Sequence, residues 1–394
     1  MQLTNKQEQG LKEAILRFAQ GEKYTIISGY AGTGKTVLIK FIIEALQIDP
    51  TKVVYATFTG KAAEVLRKKG NKNVMTLHRL LYRNILMPNG KYARIPKNTL
   101  EYDIVVIDEL SMVPEKMIKQ LLSYDIYLLG LGDPFQLPPI NPKTDNHLLD
   151  HPHVFLDEIM RQAKESEIIR LTMDIREGKE IPYQKGSEVQ VLPSSEVVFG
   201  MYTWADQIIC ATNQTRQNIN QQYRFLKFGN EQSQSLLLPN DKIICLQNNW
   251  DIFSENEAPL VNGMIGTVVD FNSDIVSIKI GINRKDFPVY ILKKLITDDN
   301  DYFSNIIVDK LYLQSSQQSI SLQDIVKIKK QDKIKIPQLF DYGYAITCWK
   351  AQGSEWDKVL ILEEKFPFDK IEHQRFLYTA ITRASEKAVL IKNE

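Results

Sequence analysis

The segment Gly29-Tyr30-Ala31-Gly32-Thr33-Gly34-Lys35-Thr36 restricts the fold of this chain more than any other. It follows an apolar, β-branched run, Tyr24 to Ile27, and opens a helical pattern, Val37 to Ile43. A strand that ends in a glycine-rich turn and enters a helix aims successive backbone N–H groups at one point. The positive end of the helix dipole adds to them, so that point binds phosphate. Glycine lets the backbone close around the anion with no Cβ in the way. Gly32, Thr33 and Gly34 supply the cradle, Lys35 reaches the outer phosphates, and the Thr36 hydroxyl is suited to ligate Mg²⁺. A glycine turn before an ordinary helix is the plainer alternative. The strand and helix on either side favour a nucleoside triphosphate site.

The 394 residues leave room for two or three domains. A hydrophobic content of 43% is ample for cores. The net charge is only +1, so no global basic field marks a nucleic-acid binder, and such binding has to come from local patches or stacking. Cys210, Cys245 and Cys348 are isolated, lack metal-type spacing and read as reduced thiols. No signal-like segment opens the chain, and no apolar run approaches the ~20 residues of a membrane helix. The expectation is a soluble, cytoplasmic protein with no membrane partner.

Thr4 and Gln7 have the spacing of a capping box ahead of an amphipathic helix, Leu11 to Phe18. Gln7 is therefore a cap, or an amide that reads an adenine edge, since an amide both donates and accepts; the two roles are compatible. Val53 to Thr57 reads as a buried strand, and Thr59 as the cap of the helix that follows. A loop at the carboxyl end of a strand is where an α/β sheet places ligands. Thr57, Thr59 and Lys61 are candidates to hold a backbone phosphate there, with Phe58 as a stacking face, against a plain cap and a solvated lysine. His78, in Thr76-Leu77-His78, is by itself more often structural. Asn89-Gly90 marks a hairpin turn, so residues 83–100 are expected to project as a short excursion.

The continuous apolar run before Asp108-Glu109 fits a central parallel strand covered on both faces. It delivers two carboxylates to one strand end. Asp108 suits the metal shell, and Glu109 suits the orientation and activation of water. A third strand, Ile126 to Leu131, leads to Gly132-Asp133-Pro134-Phe135-Gln136-Leu137-Pro138-Pro139, which brings Gln136 to the same sheet edge.

These motifs come in the order of the superfamily 1 helicases, and the chain resembles their 5′-to-3′, RecD/Dda-like branch. Further segments resemble the remaining motifs of that family: Leu156 to Gln162 with Arg161, Gln207 through Asn220, Tyr344 to Glu355, and Tyr378 to Ala384 with Arg383. The resemblance implies an α/β fold with two RecA-like P-loop motor domains. Residues 1–155 would form the first, with the 83–100 hairpin as a pin; 156–239 and 338–394 would form the second. Residues 240–337, with short β-type runs at Lys242 to Leu246, Met264 to Asp270, Ile275 to Ile280, Val289 to Leu292 and Ile325 to Lys330, read as a small β-barrel insert.

The resemblance also implies ATP and Mg²⁺ as cofactors and single-stranded DNA and duplex junctions as partners. A single-strand-binding protein is a further candidate partner, and a monomer is expected. Lys35, Glu109, Gln136, Arg161 and Arg383 take the catalytic roles, since an arginine supplied from across a cleft stabilises a phosphoryl-transfer transition state. Gln7, Gly32, Thr33, Gly34, Lys35, Thr36, Asp108, Gly353 and Glu355 hold the nucleotide, with Thr36 and Asp108 at the metal. Thr57, Phe58, Thr59, Lys61, His78, Tyr92, Pro96, Thr347, Trp349 and Lys350 face DNA, with Tyr92 or Pro96 at the pin tip. Trp349 stands where the family usually has His; it either stacks on a base or packs in the core. The implied activity is an ATP-driven helicase moving 5′ to 3′. A strand-bound translocase or clamp that does not unwind is the rival, and a nuclease would need an additional carboxylate cluster that the chain lacks.

Overall fold

The computed structural model describes residues 3–68, 70–86, 92–138, 147–160, 165–233, 235–254, 259–280, 283–297, 302–304, 306–309, 338–365 and 369–393. The chain divides into two compact units, Met1–Thr212 with Thr347–Glu394, and Asn213–Ile346.

The first unit begins with helix α1 (Asn5–Ala19), whose start is fixed by the Thr4–Gln7 capping box. Strand β1 (Tyr24–Gly29) then runs into the phosphate loop and helix α2 (Lys35–Leu46). Next come β2 (Val53–Thr57), α3 (Gly60–Lys68), β3 (Val74–Thr76), α4 (Leu77–Leu81) and a hairpin of β4 (Tyr82–Leu86) and β5 (Tyr92–Pro96). They are followed by β6 (Ile104–Ile107), α5 (Glu115–Leu121), β7 (Tyr127–Gly132) and β8 (Val154–Leu156). The sheet order is β3-β2-β6-β7-β1-β8, with every neighbouring pair parallel. Ile104–Ile107 is buried along its whole length because helices cover both faces, as a parallel sheet requires. One face packs with Leu38, Ile39 and Ile42, the other with Leu77, Leu80 and Leu121. Each such side chain, fully buried, contributes about 1.5–3 kcal/mol. Parallel register brings the carboxyl ends of β1, β6 and β7 to one edge, so Gly29, Asp108 and Asp133 emerge together.

A second sheet in this unit has the order Gln207–Cys210, Trp356–Leu362, Ala384–Lys392, Val189–Pro193 and Gln184–Lys185, parallel except for the last pair. Helix Lys370–Ile381 packs on helix Glu167–Arg176 and is buried from Phe376 to Ile381. The architecture is mixed α/β, built on two mainly parallel sheets.

The hairpin register corrects one expectation. Tyr92 pairs with Leu86 beside the turn, whereas Pro96 pairs with Tyr82 at the opposite end. An antiparallel ladder fixes that separation, so Pro96 is at the base and not the tip. The Asn89-Gly90 turn and the Tyr92 side chain lie outside the described residues.

The second unit holds helix Asn213–Phe228 and an antiparallel sheet ordered Tyr302–Phe303, Asn283–Thr297, Ile265–Ile280, Lys242–Cys245 and Phe340–Tyr342. The runs Met264 to Asp270 and Ile275 to Ile280 belong to one strand, because Asn283–Thr297 pairs along its whole length past an irregularity near Asp270. The run Ile325 to Lys330 lies outside the described residues. Buried Arg224 and Asp241 pair at 2.8 Å, and the Tyr344 hydroxyl donates to the same carboxylate at 2.9 Å.

Candidate functional site

The phosphate loop is shaped by positive φ at Gly32 (76°) and Gly34 (75°). Gly34 precedes α2 and contributes no side-chain cap, which leaves the first N–H groups of the helix directed at a ligand. A Cβ at Gly34 would lie 2.5 Å from both Gln7 Nε2 and Met160 Sδ. Gln7, 1% exposed, accepts from Thr4 N at 3.0 Å and donates to Thr33 O at 3.0 Å. Its amide is thus both the helix cap and a strut under the loop. Lys35 Nζ donates to the carbonyls of Gly29 (2.7 Å) and Tyr30 (3.0 Å).

A cavity of about 130 Å³ opens beside the loop, lined among others by Thr36, Asp108, Glu109, Gly353, Glu355 and Arg383. Residues separated by more than 300 positions in the chain therefore share one space. Thr36 and Asp108 both line it, so a hydroxyl and a carboxylate converge where a divalent cation on phosphate oxygens would be held. Asp108 Oδ1 also accepts from Glu109 N at 3.0 Å. Glu109 has a left-handed backbone, φ 54° and ψ 52°. Strained residues of this kind persist where surrounding structure holds them, often at functional sites. Arg383 Nη1 lies 3.6 Å from Glu109 Oε1, and both side chains are mostly buried. In the amide orientation that satisfies both neighbours, Gln136 donates to Glu109 Oε2 at 3.1 Å and accepts from Arg383 Nη2 at 3.2 Å.

The segment Gly132 to Pro138 is held by residues from near the end of the chain. Gln352 Nε2 donates to Leu137 O at 2.7 Å, Leu137 N donates to Thr379 Oγ1 at 2.9 Å, and the Trp349 indole N–H donates to Pro138 O at 3.2 Å. The tryptophan is half-buried and serves as a tether for this segment. Tyr378 donates to Asp133 Oδ2 at 2.6 Å. Burial raises the Asp133 pKa above the ordinary carboxylate range, and burial beside that carboxylate raises the Tyr378 phenol. Burial also pushes the Cys348 thiol up to about 12, which marks it as an inert core thiol. Tyr378, Thr379 and Gln352 were legible only as neighbours of Arg383 and Lys350 within motifs; nothing in the sequence pointed to their contacts with Gly132 to Pro138.

The remaining candidates divide. Thr57 is buried, donates to Thr59 O at 2.7 Å and lines the cavity beside the phosphate loop, so its hydroxyl is turned inward. Thr59 Oγ1 caps α3 by accepting from Ala62 N at 3.2 Å. Phe58, His78 and Tyr82 form a row, with ring centroids 5.8 and 6.3 Å apart. Thr347 is buried at the start of the short helix Cys348–Ala351, and Lys350 in that helix is exposed. The Lys61 side chain and Arg161 lie outside the described residues; Met160, just before Arg161, donates its N–H to Gly32 O at 3.0 Å. Among the described residues no cluster of His, Cys, Asp and Glu suits a further metal ion, and no helix is long and apolar enough to cross a membrane.

Residues 2–193 match an AAA domain family model, and residues 342–391 match a UvrD-like helicase C-terminal domain. The chain is 29% identical over 193 residues to the ATP-dependent DNA helicase dda of Enterobacteria phage T4, covering 45% of this chain and 43% of that protein. It is 24% identical over 399 residues to the ATP-dependent RecD2 DNA helicase of Deinococcus radiodurans, covering 97% of this chain and 49% of that protein. The chain thus spans about half the length of these curated relatives. Its fold is similar to that of Pif1 helicase from Candida albicans, with a TM-score of 0.52 at 19% identity over 100% of this chain and 94% of that one. It is also similar to Pif1 from Bacteroides in complex with ADP-AlF3 and ssDNA, with a TM-score of 0.51 at 20% identity over 99% and 92%. By both domain matches and the order of its motifs, the chain is similar to the superfamily 1 helicases of the RecD/Dda-like branch.

Proposed function

We propose that the chain is an ATP-dependent DNA helicase that moves 5′ to 3′ on single-stranded DNA and separates duplex ahead of it. Its motor would be two RecA-like domains, 1–155 and 156–239 with 338–394, carrying the insert 240–337. The observation that carries the reading is the Glu109–Gln136–Arg383 contact at the edge of the nucleotide cavity. Relatives named as ATP-dependent DNA helicases support it, as does the match to a UvrD-like helicase C-terminal domain.

Lys35 and the N–H groups of the loop bind the phosphates, and Gln7 stiffens the loop from below. Thr36 and Asp108 would hold Mg²⁺, which supplies charge neutralisation on the phosphate oxygens when bound. Glu109 orients water and takes its proton, and Arg383 offers a guanidinium to the charge that develops on the transferred group. Gln136 touches both residues, so the base and the arginine are positioned together. Trp349, Gln352 and Thr379 hold the segment that carries Gln136, which gives movement near Lys350 a route to the water-activating group. Phe58, His78 and Lys350 are the proposed DNA-facing groups, with Tyr92 beside the hairpin turn and Arg161 as a second arginine on the nucleotide.

The test is ATP-dependent separation of matched duplexes, one with a 5′ tail and one with a 3′ tail, with Lys35→Ala as the blank. Opening of the 5′-tailed duplex alone is expected. If DNA stimulates ATP hydrolysis and neither duplex opens, the chain is a translocase or clamp.

A further inference from the structure

Tyr378 is 1% exposed on helix Lys370–Ile381, in the half of the unit that does not carry the phosphate loop. Its hydroxyl accepts from Ala31 N at 2.8 Å and donates to Asp133 Oδ2 at 2.6 Å. Its ring meets Phe135 edge-on at 5.3 Å. Asp133, 3% exposed, accepts from Phe135 N at 3.0 Å through its other oxygen. One phenol therefore joins the phosphate loop, the Gly132 to Pro138 segment and the helix leading to Arg383.

Resting on the reading above, we propose that Tyr378 is a positioning residue that holds the phosphate loop in its nucleotide-binding shape from across the cleft, through the Ala31 amide and Asp133. Core packing alone does not account for it, because phenylalanine would fill the same space. A buried hydroxyl is costly unless its bonds are made, and here they go to a loop amide and a buried carboxylate. The neighbouring loop residue is held from the same direction. The Arg176 guanidinium lies 3.7 Å from the centroid of the Tyr30 ring, and Arg176 ends the helix on which Lys370–Ile381 packs. Two consecutive loop residues, Tyr30 and Ala31, thus answer to one helix pair. Arg383 follows five residues after Tyr378, so displacement of that helix loosens the loop and withdraws the guanidinium in one movement.

The test uses the full chain with Tyr378→Phe. Hydrogen exchange is read without nucleotide, and ATP turnover is read with and without oligo-dT. Exchange across 29–36 is expected to quicken about tenfold, as follows when a buried amide loses its partner, while 104–107 and 356–362 stay protected. The KM for ATP is expected to rise about tenfold with kcat within about threefold of the parent, since Glu109 and Arg383 remain. Asp133→Ala is expected to reproduce the exchange change, and the double variant to add little to it. Unchanged exchange over 29–36, or faster exchange throughout both sheets, overturns the proposal. Should the parent hydrolyse no ATP, the helicase reading falls, and the exchange result still decides this one.

Discussion

Glu109 and Arg383 approach each other to 3.6 Å at the edge of the cavity beside the phosphate loop, and the Gln136 amide bonds to both. Glu109 adopts a left-handed backbone to do so, at a cost of about 1–3 kcal/mol for a non-glycine residue. Glu109→Gln is expected to keep nucleotide binding and to lower ATP turnover by about 10²-fold or more. Binding titration and steady-state hydrolysis measured together check this, and near-parental turnover would remove Glu109 from its role.

Arg383 is 6% exposed and donates to the carbonyls of Thr379 (3.2 Å) and Ser354 (3.3 Å). Lysine keeps the charge and loses the fork that makes these bonds together. Arg383→Lys is expected to bind nucleotide and to lose about 10³-fold in turnover. Single-turnover hydrolysis at saturating ATP separates that loss from any change in affinity.

Gly34 combines φ 75° with close contact to Gln7 and Met160. An alanine there takes a left-handed penalty of roughly 1–2 kcal/mol and collides with both side chains. Gly34→Ala is expected to weaken nucleotide binding by about tenfold or more, read by titration with a fluorescent ATP analogue. Unaltered affinity would mean the loop yields more readily than its contacts imply.

His153 Nδ1 accepts from Ile26 N at 2.9 Å on β1, and burial, helped by Arg17, lowers its pKa. The unfolded chain therefore takes up the proton first. The stability contributed by neutral His153 is fully present above the ordinary histidine range and is lost as pH falls through the lower, folded value. Thermal unfolding between pH 7.5 and 5 is expected to show a decline that His153→Asn makes shallower, because an amide oxygen accepts the same bond without titrating.

The Arg224–Asp241 pair is buried at both ends, with side chains 5% and 0% exposed. Removing one partner strands a charge. Asp241→Ala is expected to destabilise the second unit by about 3–5 kcal/mol, visible as an earlier transition in denaturant unfolding. A midpoint equal to the parent's would show that water reaches Arg224.

Much of the nucleotide site was legible in the linear sequence because its parts are local. A strand, a glycine loop and a helix start are contiguous, and an apolar run ending in Asp108-Glu109 states its own strand and its exposed end. The order of the motifs then carried the resemblance to superfamily 1 helicases. Tertiary structure decided what depends on distance and register. The antiparallel ladder put Pro96 at the base of the hairpin, because pairing with Tyr82 follows from where the turn falls. The fold put Thr57 on the wall of the cavity that Glu109 and Arg383 also line. Tyr378 meets Ala31 across 347 positions of chain, a contact set by how helix Lys370–Ile381 lies against the loop. A pattern of residue types fixes which groups reach a sheet edge; which of them touch is decided by packing between elements remote in sequence.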